Sequence, residues 1–237
     1  MGPTKILAWL VHLYTASSAA LGAWALLAVF GGDFRLAWAL LTATIFIDST
    51  DGVLARQFRV KETLPSVDGR RLDDIVDYLC WVFVPLLLLV EANILPAWSI
   101  AAPLLASGYG FAQADAKTED HYFLGFPSYW SIIAFILFEF QVGMPFSVAL
   151  ILFLSVMVFV PIRYPYPSRM RTLRLPTILL GLPWMAIGIA LIVLLPERPR
   201  WLALLYCYYP AYYALLTVYL LWQRRREMGM HTASLQP

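Results

Sequence analysis

Cysteine, histidine and charge are all scarce in this chain of 237 residues. There are two cysteines and three histidines, and 14% of residues are charged. Cys80 and Cys207 stand far apart inside apolar runs. That excludes a CxxC site and a disulfide framework, so both are expected to be small core residues. So few thiols and imidazoles also argue against a zinc centre. The shortage of charge excludes an ordinary soluble domain, in which about a quarter of residues are charged. A net charge of +2 is too small for a nucleic-acid partner. No internal repeat or low-complexity tract is evident.

Apolar sequence is what the chain has in abundance, at 61% hydrophobic residues. The expected fold is an all-α, polytopic membrane helix bundle with about eight transmembrane helices. The predicted spans are 6–31, 35–57, 72–94, 97–113, 127–142, 145–163, 176–195 and 200–222. Gly108, Gly110, Gly143 and Pro145 interrupt the fourth to sixth. The first apolar run, residues 7–30, covers 24 residues. A cleavable signal peptide has an apolar core of only about 7–15, so this run is read as a retained span. The expected organisation is one integral-membrane domain, residues 1–226, with a short disordered C-terminal tail, 227–237.

Basic residues set the orientation. Alternating spans place 14 of the 17 Lys and Arg on the side of both termini, leaving Arg35, Arg198 and Arg200 opposite. Both termini are therefore expected in the cytoplasm.

Carboxylates are costly in a membrane chain, yet residues 48–77 hold a regular set of them. Asp48 and Asp51 are spaced i, i+3, and Asp73 and Asp77 i, i+4, so each pair shares one helix face. Only 12 apolar residues, 36–47, precede Asp48 in its span. They cover about 18 Å, so the helix must continue through Asp51 and Ala55. Both pairs are thus expected just below the cytoplasmic surface. If the faces meet, four like charges share a small volume and repel unless a hard divalent cation with oxygen ligands neutralises them. Mg²⁺, Mn²⁺ or Ca²⁺ fits that donor set. Gly52, Ala55 and Gly69 leave helix surface bare for a ligand, and Arg56 supplies a forked cation suited to phosphate. Cation, arginine and groove together describe a pyrophosphate site.

The pattern Asp48-x2-Asp51-Gly52-x2-Ala55-Arg56 followed by Gly69-x3-Asp73-x3-Asp77 resembles the signature of the CDP-alcohol phosphotransferases. The 12 residues between Arg56 and Gly69 are more than most of that family has. The longer gap, Pro65, Asp68-Gly69-Arg70-Arg71-Leu72-Asp73-Asp74 and Phe126-Pro127-Ser128-Tyr129-Trp130 are most similar to its bacterial phosphatidylcholine synthase branch. The resemblance covers nearly the whole chain. It implies a metal-dependent enzyme of the bacterial inner membrane that transfers the phosphatidyl group from CDP-diacylglycerol to choline, releasing CMP, with its site facing the cytoplasm. Asp48, Asp51, Asp73 and Asp77 would hold Mg²⁺ or Mn²⁺, and Gly52, Ala55, Arg56 and Gly69 would line the nucleotide pocket. Asp77 would also accept the choline hydroxyl proton, and a homodimer is implied. Serine, glycerol 3-phosphate or inositol phosphate are the alternative acceptors. A cation-binding transporter is the alternative of another class, but it would spread its acids across the membrane depth.

Choline's quaternary ammonium donates no N–H and is held by aromatic faces. Tyr78, Trp81, Tyr129, Trp130, Tyr164 and Tyr166 lie near the expected cytoplasmic level, where interfacial belts also gather aromatics. Glu139, inside the fifth span, is expected to be buried with a partner. Glu91 and Glu197 read as solvated. His12, in the first span, reads as a packing residue that hydrogen-bonds across helices, and Thr15, Ser17 and Ser18 read as packing residues that could do the same or touch the nucleotide. Arg163, Arg169, Arg171 and Arg174 read as substrate-phosphate or headgroup contacts.

Overall fold

The computed structural model describes residues 2–113, 116, 118, 120, 122–167, 169–170 and 172–233. These residues are mainly helical and pack as two compact units, residues 1–112 with 128–156, and 113–127 with 157–237. Among the described residues four helical stretches are long and apolar enough to cross a membrane: Pro3–Phe30, Phe34–Gln57, Arg174–Val193 and Arg200–Arg224.

In the first unit, α1 (Pro3–Phe30) starts on a proline at the position where a missing N–H is harmless. It stops at Gly31 and Gly32, the latter with φ +75°. Asp33 then caps α2 (Phe34–Gln57) by accepting a hydrogen bond from the Leu36 N–H at 2.9 Å. The short turn folds α2 back along α1, and this is the most extensive helix pair of the unit. The brief α3 (Val60–Thr63) adds Val60 and Leu64 to an apolar cluster with Ala8 and Val11 of α1. Asp68 caps α4 (Gly69–Asp77), accepting from the Arg70 and Arg71 N–H groups at 3.1 and 3.3 Å.

From α4 the helix continues unbroken through a π-helical segment (Tyr78–Phe83) into α5 (Val84–Glu91). Leu86, Leu88 and Leu89 of α5 are fully buried. A helix apolar on all sides belongs at the centre of a bundle. α7 (Trp130–Phe140) packs on it, α6 (Ala101–Ala112), reached through a 3₁₀ turn (Ala97–Ile100), packs on the π-helical segment, and α8 (Met144–Met157) follows α7. α7 and α8 have 11 and 14 residues, or about 16 and 21 Å, against a hydrocarbon core of about 30 Å. As helices they are shorter than the expected spans 127–142 and 145–163. Gln141, with φ +46°, ends α7, and α8 starts just beyond the predicted break at Gly143.

The exterior of this unit is apolar. Leu13, Leu27, Leu105 and Phe146 are exposed, Leu105 to 76%, whereas Thr44, Ser107 and Ser147 are buried. Lipid as the solvent accounts for that distribution, and the chain is a membrane protein of helical type.

The second unit holds a feature the all-α reading did not anticipate. β1 (Tyr122–Leu124) pairs antiparallel with β2 (Arg163–Pro165), Phe123 opposite Tyr164. Beside the ribbon, Gly125 has φ +82°, and a Cβ on it would stand 2.1 Å from the Val158 carbonyl oxygen. Asp120 Oδ2 accepts hydrogen bonds from Arg163 at 2.6 Å and Arg224 at 3.2 Å, tying the loop to β2 and to the last helix. The Thr118 hydroxyl and these guanidiniums hold the Asp120 carboxyl below the usual carboxylate range. Helices α9 (Arg174–Val193), α10 (Arg200–Tyr206) and α11 (Tyr208–Ala233) complete the unit. Trp184 stacks between Tyr206 and Tyr209, each at 5.0 Å. α11 runs on to Ala233, beyond the expected start of the tail at 227. Residues 234–237 and Arg171 lie outside the described residues.

Two outcomes follow from this unit. Gly125→Ala must both adopt a left-handed backbone and displace Val158, so its thermal midpoint should fall with a loss above about 2 kcal/mol. Asp120→Asn should lower stability at neutral pH by no more than about 1 kcal/mol, because the pair is solvent-screened. Asp120 titrates lower when folded, so its contribution is present above the ordinary carboxylate range and lost as pH falls through the depressed value. Wild-type and Asp120→Asn unfolding curves should therefore converge in acid.

Candidate functional site

Asp48 leaves the C-terminal half of α2, while Asp73 and Asp77 share one face of α4. One carboxylate oxygen from each lies within 4.8 Å of the other two, and all three side chains are partly buried. The spacing of the sequence thus does bring the two helices' acids together. Three like charges at that separation repel one another, and a positive charge between them would relieve the repulsion. An all-oxygen donor set without thiol or imidazole fits a hard divalent cation.

Asp51, one turn along from Asp48, is buried and held differently. Thr15 Oγ1 of α1 donates to its Oδ2 at 2.8 Å. Tyr14 and Thr50 share a further hydrogen bond of 2.8 Å between the same two helices. α1 therefore braces the acid-bearing end of α2, and it also packs against α4.

The small residues of the motif each face a protein neighbour. A Cβ on Gly52 would meet the Arg56 guanidinium at 3.4 Å, so this glycine gives Arg56 room along α2. Ala55 packs on the Ala8–Val11–Val60–Leu64 cluster. On Gly69, a Cβ would come within 3.1 Å of the His12 ring on α1. Further along, Gly22 of α1 lies against Cys80, whose thiol reaches the Ser18 carbonyl at 3.3 Å. Cys80 is buried and free, in line with a small core residue. Close approach of backbone to ligand was the expected use of these positions; the structure displays packing against neighbouring helices at Ala55 and Gly69, and room for Arg56 of the same helix at Gly52.

The six candidate choline aromatics divide by their contacts. Tyr78 donates its hydroxyl to the Leu104 carbonyl at 3.0 Å and meets Phe111 edge-on. Trp130 is fully buried, its indole N–H bonded to Ser107 Oγ at 2.6 Å, so its ring serves the core. Trp81 and Tyr129 form a partly buried aromatic corner, with centroids 5.9 Å apart at 47°. Tyr164 and Tyr166 belong to the second unit. There Tyr164 packs edge-on to Phe126, while Tyr166 packs on Phe123 and carries the Arg169 guanidinium 5.6 Å above its ring. Glu139 is buried on α7, as expected.

Against known proteins the signature has a clear counterpart. The chain is 44% identical over 168 residues to the phosphatidylcholine synthase of Legionella pneumophila, covering 69% of this chain and 66% of that protein. It is 41% identical over 157 residues to that of Legionella bozemanae, covering 64% and 72%. With that of Borreliella burgdorferi it shares 36% identity over 178 residues, 73% of this chain and 76% of the relative. The chain belongs to the phosphatidylcholine synthase family. No family model matches it. Membership makes the protein a transferase of the CDP-alcohol phosphotransferase type, and the converging aspartates are the part of its structure that bears the family's signature.

The sequence reading named Thr15 without giving it a partner; the structure joins it to Asp51. Its signal was a hydroxyl in an apolar span, three residues after a histidine. Thr15→Val keeps the shape but leaves the buried Asp51 oxygen without this donor, which should cost about 1–3 kcal/mol. A lowered thermal midpoint in detergent, restored by Thr15→Ser, is the expected result.

Proposed function

We propose that the protein is a phosphatidylcholine synthase, transferring the phosphatidyl group of CDP-diacylglycerol to choline to give phosphatidylcholine and CMP. The observation that carries this reading is the convergence of Asp48, Asp73 and Asp77 within 4.8 Å inside the family signature. Mg²⁺ or Mn²⁺ would be held by these three with Asp51, and would neutralise charge on the pyrophosphate and on departing CMP.

In the reaction the choline hydroxyl oxygen bonds to the phosphatidyl phosphorus as the bond from that phosphorus to CMP breaks. The hydroxyl proton passes to Asp77, which lies at the end of α4 where the π-helical segment begins. Such segments are frequent at functional sites because they re-aim the residues that follow. Arg56 faces the donor phosphates, with Gly52, Ala55 and Gly69 keeping that end of the helices slender. The Trp81–Tyr129 corner offers ring faces to the quaternary ammonium, and Trp81 follows Asp77 by one helical turn.

This reading places the enzyme in the bacterial inner membrane with its site toward the cytoplasm. The excess of Lys and Arg on the motif side supports that orientation, with eight spans and both termini inside. A homodimer remains part of the proposal through the family alone.

Purified protein should form phosphatidylcholine from CDP-diacylglycerol and labelled choline only with Mg²⁺ or Mn²⁺ present, and EDTA should abolish turnover. Asp77→Asn should lower kcat by about 10²–10⁴-fold, the usual contribution of a general base. Undiminished turnover in that variant would remove Asp77 from its role. Product with serine, glycerol 3-phosphate or inositol phosphate but none with choline would overturn the acceptor assignment.

A further inference from the structure

His12 is buried on α1 with 7% of its surface exposed, and its Nε2 has no hydrogen-bond partner among the described residues. Burying an unsatisfied ring nitrogen costs free energy, and an apolar ring of similar size would fill the same space without that cost. The position of the ring supplies a reason for it. Its Cε1 and Nδ1 edge faces Gly69, at 3.1 and 3.6 Å from where a Cβ would stand, at the opening of the helix that carries Asp73 and Asp77, and Nε2 lies on the adjoining corner of the ring. Three residues on, Thr15 grips Asp51. His12 and Thr15 thus form one buried polar stripe that touches both acid-bearing helices.

We propose that His12 is a further substrate-binding residue whose Nε2 hydrogen-bonds to the nucleoside-diphosphate part of the CDP-linked donor. The inference rests on the synthase reading and deepens it. The choice between the two substrates follows from their chemistry. Choline's ammonium has no N–H to offer, and its single hydroxyl is the reacting group. The nucleoside diphosphate carries phosphate, carbonyl and amino groups, any of which satisfies a neutral imidazole nitrogen. A glycine at position 69 then has two effects: it admits the imidazole and keeps the start of α4 open beside it.

The full chain, purified in detergent, is compared with His12→Phe, which fills the volume without a hydrogen bond, and His12→Gln, which retains a polar group near the Nε2 position. Binding of CDP in the presence of Mg²⁺ is measured alongside both KM values and the thermal midpoint. His12→Phe should weaken CDP binding and raise KM for CDP-diacylglycerol about tenfold, leaving KM for choline unchanged, while His12→Gln stays within about threefold of wild type. His12→Leu serves as the apolar variant if His12→Phe does not fold. Unchanged CDP affinity in a folded apolar variant would overturn the proposal. So would a change confined to KM for choline, or equal losses in Gln and apolar variants that track the thermal midpoint. Wild-type protein that binds CDP without transferring to choline would end the synthase reading and leave the His12 comparison readable through CDP binding alone.

Discussion

Mutual repulsion of three carboxylates is the constraint on which the first unit is built. Asp48 lies on one helix and Asp73 and Asp77 on another, and oxygens of these partly buried side chains come within 4.8 Å of one another. Nothing in that trio draws α2 and α4 together. The approach has to be imposed by the rest of the fold, and α1 is the element that imposes it. It packs along α2 through the Gly31–Gly32 turn, holds Asp51 through Thr15, and lies against Gly69 through His12. At Gly22 it also closes on the π-helical segment that follows Asp77. A frame that holds three carboxylates this close is what the proposed cation site requires, since little rearrangement would be left to oppose binding.

The helix that bears Asp73 and Asp77 has unequal ends. Its far end, α5, is the most thoroughly buried stretch of the first unit, with three leucines fully removed from solvent. Its near end is capped by an exposed aspartate and begins with a glycine. Anchoring one end in the core fixes the axis and azimuth of the acids, and leaving the other end slender keeps them reachable. The π-helical turn between the two adds a local change of phase, so Trp81 is re-aimed relative to the α4 face that carries the acids.

Much of this was legible in the sequence because it depends on period. Spacings of three and four on an apolar background place acids on one helix face, and both pairs were read that way. Two of the four pair members on α4 and one on α2 then met as that spacing requires, while Asp51 turned to a hydroxyl on a third helix. No pattern within residues 48–77 could have revealed that partner, because it lies 36 positions away. The aromatics failed to separate for the same reason. Trp81 and Trp130 look alike in sequence, and only Ser107, reached across the fold, assigns the second to the core. The β1–β2 ribbon escaped because strands of three residues carry no measurable alternation. α7 and α8 were overextended because apolar composition continues past the helix ends, at Gln141 for α7 and over residues 158–163 for α8.

The two faces of α1 show why a membrane enzyme of this kind can keep so few polar residues. Trp9, Leu10 and Leu13 are exposed, while His12, Thr15 and Ser18 between and after them are buried. One helix therefore separates lipid from the acidic site, with its apolar side outward and a three-residue polar stripe inward. Thr15 has a task that an apolar side chain could not perform, since its hydroxyl satisfies a buried carboxylate, whereas at Ser18 it is the backbone carbonyl that receives a thiol from the neighbouring helix. Lipid penalises every polar atom that faces it, so the chain keeps such atoms only where another helix or a ligand meets them. By that logic the buried Nε2 of His12, on a ring whose other edge meets the signature glycine, is better explained by the proposed ligand than by the fold.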